Sequence, residues 1–263
     1  MKKKSQESHR GTSIVANGEI FAVTEAYKNL RTNLSFMLPG KEGCRRILIT
    51  SSLPMEGKST TTANLAVSLA QSGQRVILLD CDLRKGRLHN FFKIRNGKGL
   101  SDVLCGSCSV EDVLYKSGFQ NLVLIPTGTT PPNPAELLGS KAMEELLNIL
   151  SMHFDYILMD TPPVNLVTDA VELSRYADGT LIVAYQMITT KPSLELAISR
   201  FTLIGSRILG IVYNGAKRSG HYGKYGYDRY SKYSYGYYKS EGYYQSPPED
   251  KDSGTEANEK ESL

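Results

Sequence analysis

The residues Ser52-Leu53-Pro54-Met55-Glu56-Gly57-Lys58-Ser59-Thr60 have the spacing of a phosphate-binding loop, G-x-x-x-x-G-K-[ST], with Ser52 in the place of the first glycine. The residue types say what the loop would do. Gly57 lets backbone amides close around phosphate oxygens, the helix that follows offers unpaired N–H groups and a positive dipole, and Lys58 sets a cation between the outer phosphates. Ser59 supplies a hydroxyl suited to Mg²⁺. A Gly-Lys-Ser-Thr string can also simply begin an ordinary helix, so carboxylates elsewhere have to decide. Leu78-Leu79-Asp80-Cys81-Asp82 places two acids two residues apart at a strand end, hence on one side of it. Tyr156-Ile157-Leu158-Met159-Asp160 ends a second apolar strand in a carboxylate. Acids beside buried strands are costly unless a metal and phosphates compensate them. Three such features at the carboxyl edge of one sheet point to a nucleotide site.

The elements that must position these groups alternate along the chain. Periodicity predicts an amphipathic helix over 20–38, a strand over 46–50, a helix over 58–71 closed by Gly73, and a buried strand over 75–80. Short helices follow near 101–104 and over 109–116, the second opened by a Ser109-x-x-Asp112 capping box. A strand over 122–125, one helix over 134–152, a strand over 156–160, a helix capped by Thr168 and reaching Tyr176, a strand over 180–185, a helix over 192–204 and a strand over 208–213 complete the pattern. Strings such as VILLD, YILMD and TLIVA are apolar on both faces, as parallel strands covered by helices above and below must be. The expected fold is α/β: a doubly wound, mostly parallel sheet of the P-loop NTPase type.

Composition divides the chain into a basic arm over 1–19, a globular body over 20–214 and a tail over 215–263. Of the 16 tyrosines, ten fall in the tail: Tyr222, Tyr225, Tyr227, Tyr230, Tyr233, Tyr235, Tyr237, Tyr238, Tyr243 and Tyr244. Mixed Gly, Tyr, Ser and Lys without helical or strand period reads as disorder. The net charge of +4 is uneven: residues 1–10 carry +3, residues 215–240 +5 and residues 241–263 −5, which leaves +1 for 11–214. A near-neutral body speaks against a nucleic-acid binder. The basic arms suit anionic lipid or an acidic partner. No apolar run approaches the ~18 residues that span a bilayer, and no apolar signal region follows Arg10, so a cytoplasmic protein is expected. The cysteines, Cys44, Cys81, Cys105 and Cys108, are too few and irregular for a disulfide framework, and Cys105-x-x-Cys108 lacks a second pair to complete a zinc site.

The loop at 52–60, ILLDCDLRKG at 77–86, ILMDTPP at 157–163 and the tyrosine-rich tail together resemble the bacterial tyrosine kinases of capsule and exopolysaccharide synthesis, over roughly residues 20–244. Pro131-Pro132-Asn133-Pro134-Ala135-Glu136-Leu137-Leu138 is similar to that family's loop before a helix. The resemblance implies a Walker A motif at 52–60, a second motif, Walker A′, carrying Asp80 and Asp82, and a Walker B motif carrying Asp160. It implies ATP and Mg²⁺ as cofactors, autophosphorylation of the tail tyrosines, a separate transmembrane activator that recruits the kinase to the membrane, and a cognate phosphotyrosine phosphatase. Ring-shaped self-association is implied by E-x-x-R-x-x-R on the first helix, here Glu25, Lys28 and Arg31. Lys28 departs from that pattern and removes the bidentate contacts an arginine would make.

On this reading the backbone of Met55, Glu56, Gly57, Lys58 and Ser59 and the Lys58 side chain hold the β- and γ-phosphates, with Ser52 and Thr60 completing the loop. Ser59, Asp82 and Asp160 take Mg²⁺ directly or through water. Asp80 receives the acceptor's proton, although the residues alone leave Asp80 and Asp82 both open as the base. Asn214, ending the last strand, is expected at the purine ring or as a simple strand terminator. Three other functions fit parts of the sequence: a partitioning ATPase that modifies no protein, which Leu53 and Pro54 disfavour because that class has a second lysine at the start of its loop; a metal-cluster scaffold on Cys105 and Cys108; and a tail-driven binding module with a vestigial nucleotide site.

Overall fold

The computed structural model describes Ile14 and residues 21–216. The basic arm, except Ile14, and the tail beyond Ala216, with all ten of its tyrosines, lie outside the described residues. A seven-stranded sheet runs in the order β3-β4-β2-β5-β1-β6-β7, where β1 is Arg45–Ser51, β2 Val76–Asp80, β3 Tyr115–Lys116, β4 Leu122–Ile125, β5 Tyr156–Asp160, β6 Gly179–Tyr185 and β7 Ile208–Asn214. Every pairing is parallel except β3 with β4. Because side chains alternate across a strand, Ile77, Leu79, Ile157 and Met159 face one way and Val76, Leu78, Tyr156 and Leu158 the other. The first set packs into a core with α4 (Leu100–Leu104), α5 (Pro134–Leu138), α6 (Lys141–Ser151), α7 (Asp169–Ser174) and α8 (Lys191–Leu203). The second meets α1 (Phe21–Met37), α2 (Lys58–Gln71) and α3 (Leu88–Phe91). The doubly wound α/β expectation therefore holds.

β1 lies between β5 and β6, so successive strands part company on either side of it. That reversal opens a crevice at the carboxyl ends, where this class of sheet binds ligands. The register sets Asp80 of β2 directly beside Asp160 of β5, with Ile49 of β1 on Asp160's other side. The Walker A loop leaves β1 at this point.

Three local expectations are corrected. The helix foreseen over 134–152 breaks at Gly139, where a Cβ would stand 3.2 Å from Glu172 Oε2. Ser140 then restarts it as an N-cap, its hydroxyl accepting from Met143 N, and the Tyr176 hydroxyl donates to the carbonyls of Gly139 and Ser140 at 3.0 and 3.2 Å. The helix foreseen over 109–116 is only a 3₁₀ turn at Glu111–Val113, followed by β3, which pairs with β4. Half of its capping box is present, Ser109 N donating to Asp112 Oδ2 at 3.1 Å, but burial of Val113 and the extended Leu114 draw the chain onto the sheet edge. α3 escaped detection because it is a single turn. Thr168 begins α7 without a side-chain cap.

Candidate functional site

The Walker A loop is shaped by two backbone positions. Gly57, immediately before α2, has φ 86° and ψ 22°, and a Cβ there would stand 2.8 Å from Asn214 Nδ2. Met55 also lies in the left-handed region, at φ 69°. α2 starts without a side-chain cap, so the amides of its first turn remain available to an anion.

Behind the loop the acids gather as their strand ends predict. Lys58 Nζ donates to Asp82 Oδ2 at 3.1 Å and to Asp160 Oδ2 at 3.5 Å. Ser59 Oγ donates to Asp160 Oδ2 at 2.5 Å, and Thr62 Oγ1 donates to Asp160 Oδ1 at 3.1 Å. Asp82 Oδ1 accepts the amide of Lys85 at 3.0 Å. Asp80 accepts the amide of Leu88 on Oδ2 at 2.9 Å, whereas its Oδ1 is buried and, among the described residues, has no partner. Lys58, Ser59, Asp80, Asp82 and Asp160 thus converge, and Thr62 joins them unforeseen.

The electrostatics follow from this crowding. Burial, then Asp160 and Asp82, hold the Asp80 carboxyl well above the usual range, with the Leu88 amide and Lys58 opposing. Burial also raises Asp160, against Lys58 and the Ser59 hydrogen bond. Burial disfavours the charge on Lys58, but Asp160, Asp82 and Asp80 overcome it and raise the amine above its ordinary value. Burial, with these acids, pushes the Cys81 thiol well up, so Cys81 is no nucleophile.

Asn214 donates from Nδ2 to Glu56 O at 3.0 Å and to Thr61 Oγ1 at 3.1 Å. This makes it a brace between the end of β7 and the loop, more than a strand terminator. On α1, Lys28 closes on Glu25 at 2.8 Å, while Arg31 turns inward and donates to Ser68 O of α2 at 2.8 Å. Cys105 and Cys108 are free thiols beside the end of α4, and among the described residues no group of three or more His, Cys, Asp or Glu could hold a metal ion.

One supporting pair was not anticipated. Arg84, inside the motif string, makes a two-pronged contact with Asp169 of α7: Nε to Oδ2 at 2.9 Å and Nη2 to Oδ1 at 3.0 Å. Asp169 is fully buried, and the pair pins the loop whose Lys85 amide orients Asp82. Arg84→Met strands a buried carboxylate. We expect a loss of about 2–3 kcal/mol, below that of a fully buried pair because the guanidinium is partly exposed. For a domain of this size that is roughly 4–12 °C in Tm, readable by thermal unfolding, with Asp169→Asn in the same background recovering part of it.

Comparison with known proteins matches this arrangement. A family profile described as an AAA domain covers residues 55–200. The chain is 39% identical to "Tyrosine-protein kinase YwqD" of Bacillus subtilis, over 85% of its own length and 95% of that protein's. Among solved structures, the kinase domain of Escherichia coli tyrosine kinase ETK superposes with a TM-score of 0.74 at 33% identity, covering 86% of this chain and 89% of that one. The chimerical protein CapA2B2 gives the same TM-score and identity over 78% and 90%. Of full-length etk the chain spans 29%, so that longer relative carries much that is not represented here. Among the described residues no helix is long and apolar enough to cross a membrane. Since it parallels nearly the whole of YwqD and superposes on a tyrosine kinase domain, this chain, with its Walker lysine facing Asp82 and Asp160, belongs to the bacterial tyrosine kinases.

Proposed function

We propose that this kinase binds ATP with Mg²⁺ at the Walker A loop, transfers the γ-phosphoryl group to tyrosines of its own tail, and thereby regulates capsular or extracellular polysaccharide synthesis. The observation that carries the chemistry is the disposition of the three acids around Lys58. Asp82 has one oxygen on the Lys85 amide and the other on Lys58, whereas Asp80 keeps a buried oxygen that has no partner among the described residues, and a raised affinity for a proton. Asp80 is therefore the better base. A tyrosine with a pKa of about 10 arrives protonated. As its oxygen bonds to the γ-phosphorus and the bond to the leaving β-phosphate oxygen breaks, the phenolic proton passes to Asp80. Lys58 and the first-turn amides of α2 balance the phosphate charge throughout.

The donor set fits Mg²⁺: Ser59, Asp82 and Asp160 offer only hard oxygens, and this ion is usually held by one or two carboxylates together with phosphate and water. When bound it neutralises charge on the phosphates. Asn214 is assigned to the purine through its carbonyl oxygen, which suits an exocyclic amine, since its nitrogen already serves the loop. The arm, body and tail are taken as 1–19, 20–214 and 215–263.

The partners rest on the family resemblance: a transmembrane activator that brings the kinase to the membrane, a phosphatase that reverses the reaction, and a ring of copies joined partly through α1. Of the three ring candidates Lys28 is exposed while Glu25 and Arg31 are half-buried, and Arg31 would have to leave Ser68 to join a ring contact.

Transfer between subunits is the testable core of this reading. β7 ends at Asn214, hydrogen-bonded to the Walker A loop, so the last strand of the body finishes beside the nucleotide edge. Tyr222 lies eight residues on and reaches at most about 28 Å, whereas Tyr237, Tyr238, Tyr243 and Tyr244 have three to four times that contour. A neighbour's site held close by a ring would see these tyrosines at roughly millimolar concentration. Full-length Lys58→Met protein is mixed with active enzyme truncated after Asn214, with the activator's cytosolic fragment and ATP, and phosphotyrosine is mapped. Label is expected on the inactive chain, chiefly beyond Tyr233; an unlabelled tail with proven association would confine transfer to one chain.

A further inference from the structure

The carboxylate of Glu56 has no part in the chemistry above, yet it accepts three hydrogen bonds. It is fully buried, between the left-handed Met55 and Gly57. Its Oε1 accepts Ser52 Oγ at 2.7 Å and the Thr189 hydroxyl, and its Oε2 accepts Leu53 N at 2.8 Å. Thr189 Oγ1 in turn accepts Tyr185 N, the last residue of β6, at 2.7 Å. On the main-chain side the Glu56 carbonyl accepts Asn214 Nδ2, and Asn214 O accepts Gln186 N, both at 3.0 Å. Glu56 thus closes a circuit of hydrogen bonds through the Walker A loop, the β6–α8 turn and the end of β7.

A left-handed Met55 is a costly backbone state for a residue with a side chain, and it persists only where its surroundings over-determine it. Three donors converging on one buried carboxylate do this, because an ionised carboxylate only accepts. We propose that Glu56 is a positioning residue: its side chain sets the shape of the phosphate-binding turn before the nucleotide arrives and locks that turn, through Thr189, to the β6–α8 loop. The inference rests on reading the loop as the ATP site. A cradle already in its binding shape holds the ground and transition states alike, so its loss raises KM and leaves kcat nearly unchanged.

The test uses the full chain with its activating fragment, at a temperature well below every variant's Tm, and measures binding of a fluorescent ATP analogue alongside KM and kcat. Glu56→Gln keeps the shape but turns an N–H₂ against donors, and Thr189→Val removes one donor isosterically. Each is expected to raise Kd and KM for ATP about tenfold, with kcat within about twofold. Thr189→Ser, which keeps the hydroxyl, restores both. The double variant should be no worse than Glu56→Gln alone, because the two substitutions break one circuit. If the wild type binds the analogue and the variants lose Tm while holding Kd and KM, or if their losses add, the inference fails. A wild type that binds no nucleotide, or a Lys58→Met protein that binds as the wild type does, overturns the site reading and this inference with it.

Discussion

Lys58→Met is expected to lower tyrosine phosphorylation by about three orders of magnitude or more, since a cation placed on transferring phosphates is worth several kcal/mol of transition-state stabilisation. Phosphotyrosine immunoblotting or ³²P incorporation reads it directly, and retained autophosphorylation in a folded variant would sink the assignment of Lys58. From sequence the substitution looks harmless to the fold, because the loop serves phosphate. The structure says otherwise. Lys58 is mostly buried and is the ion-pair partner of both Asp82 and Asp160, so its removal leaves fully buried carboxylates facing one another. A loss of about 2–3 kcal/mol follows, again scaled down from a fully buried pair because Asp160 keeps Ser59 and Thr62. The sign with pH is definite. Without the cation that opposes it, burial raises Asp160 further, so the folded chain holds that proton more tightly than the unfolded one and the deficit in Tm should be large at pH 8 and shrink toward pH 5. Circular dichroism melts at the two pH values measure it.

Asp80→Asn separates activity from stability in the opposite sense. Removing a general base lowers kcat by about 10²–10⁴-fold, while KM for ATP changes little. Tm at neutral pH should hold or rise, because the substitution removes a buried charge crowded by Asp160 and Asp82 and keeps an acceptor for the Leu88 amide. In the wild type the folded-state pKa of Asp80 lies well above the unfolded value of about 3.9. The folded state therefore binds the extra proton. Stability from this group is undiminished below the unfolded pKa and is lost as pH rises through the window up to the raised folded value. Asp80→Asn should flatten that slope in Tm against pH. For the same reason the acid limb of the rate profile should lie above the range of an ordinary carboxylate. Full activity in Asp80→Asn would transfer the role of base to Asp82.

The parts of the fold that were legible are those where one signal sufficed. Strands apolar on both faces announce a covered parallel sheet, and acids at their ends announce its working edge, so Lys58, Asp80, Asp82 and Asp160 could be named before any coordinate. Residues whose meaning depends on a distant partner were opaque. Glu56 reads as one of the loop's variable positions, and only the arrival of Thr189 from beyond β6 makes it a clamp. Asp169 reads as an ordinary first-turn acid until Arg84 reaches it. The break at Gly139 is hidden because Pro134 to Met152 keeps good helical composition, and only the structure shows Gly139 ending one helix and Ser140 capping the next. Asn214 ends β7 as its place in the pattern predicts, but spacing cannot say that its amide nitrogen serves the loop.

The strand that carries the Walker A loop also dictates when the enzyme can be finished. β1 has no partner near it in sequence: Arg45 pairs with Tyr156 and Ile47 with Gly179. During synthesis, at roughly 5–20 residues per second, α1, α2 and β2 emerge long before anything can flank β1. Its two hydrogen-bonding edges wait until β5 and then β6 leave the ribosome, and the circuit through Asn214 closes last. Sheets ordered by such late contacts fold slowly and expose strand edges meanwhile. The nucleotide-binding turn therefore matures only after β7 has emerged, more than 150 residues behind the strand that carries it.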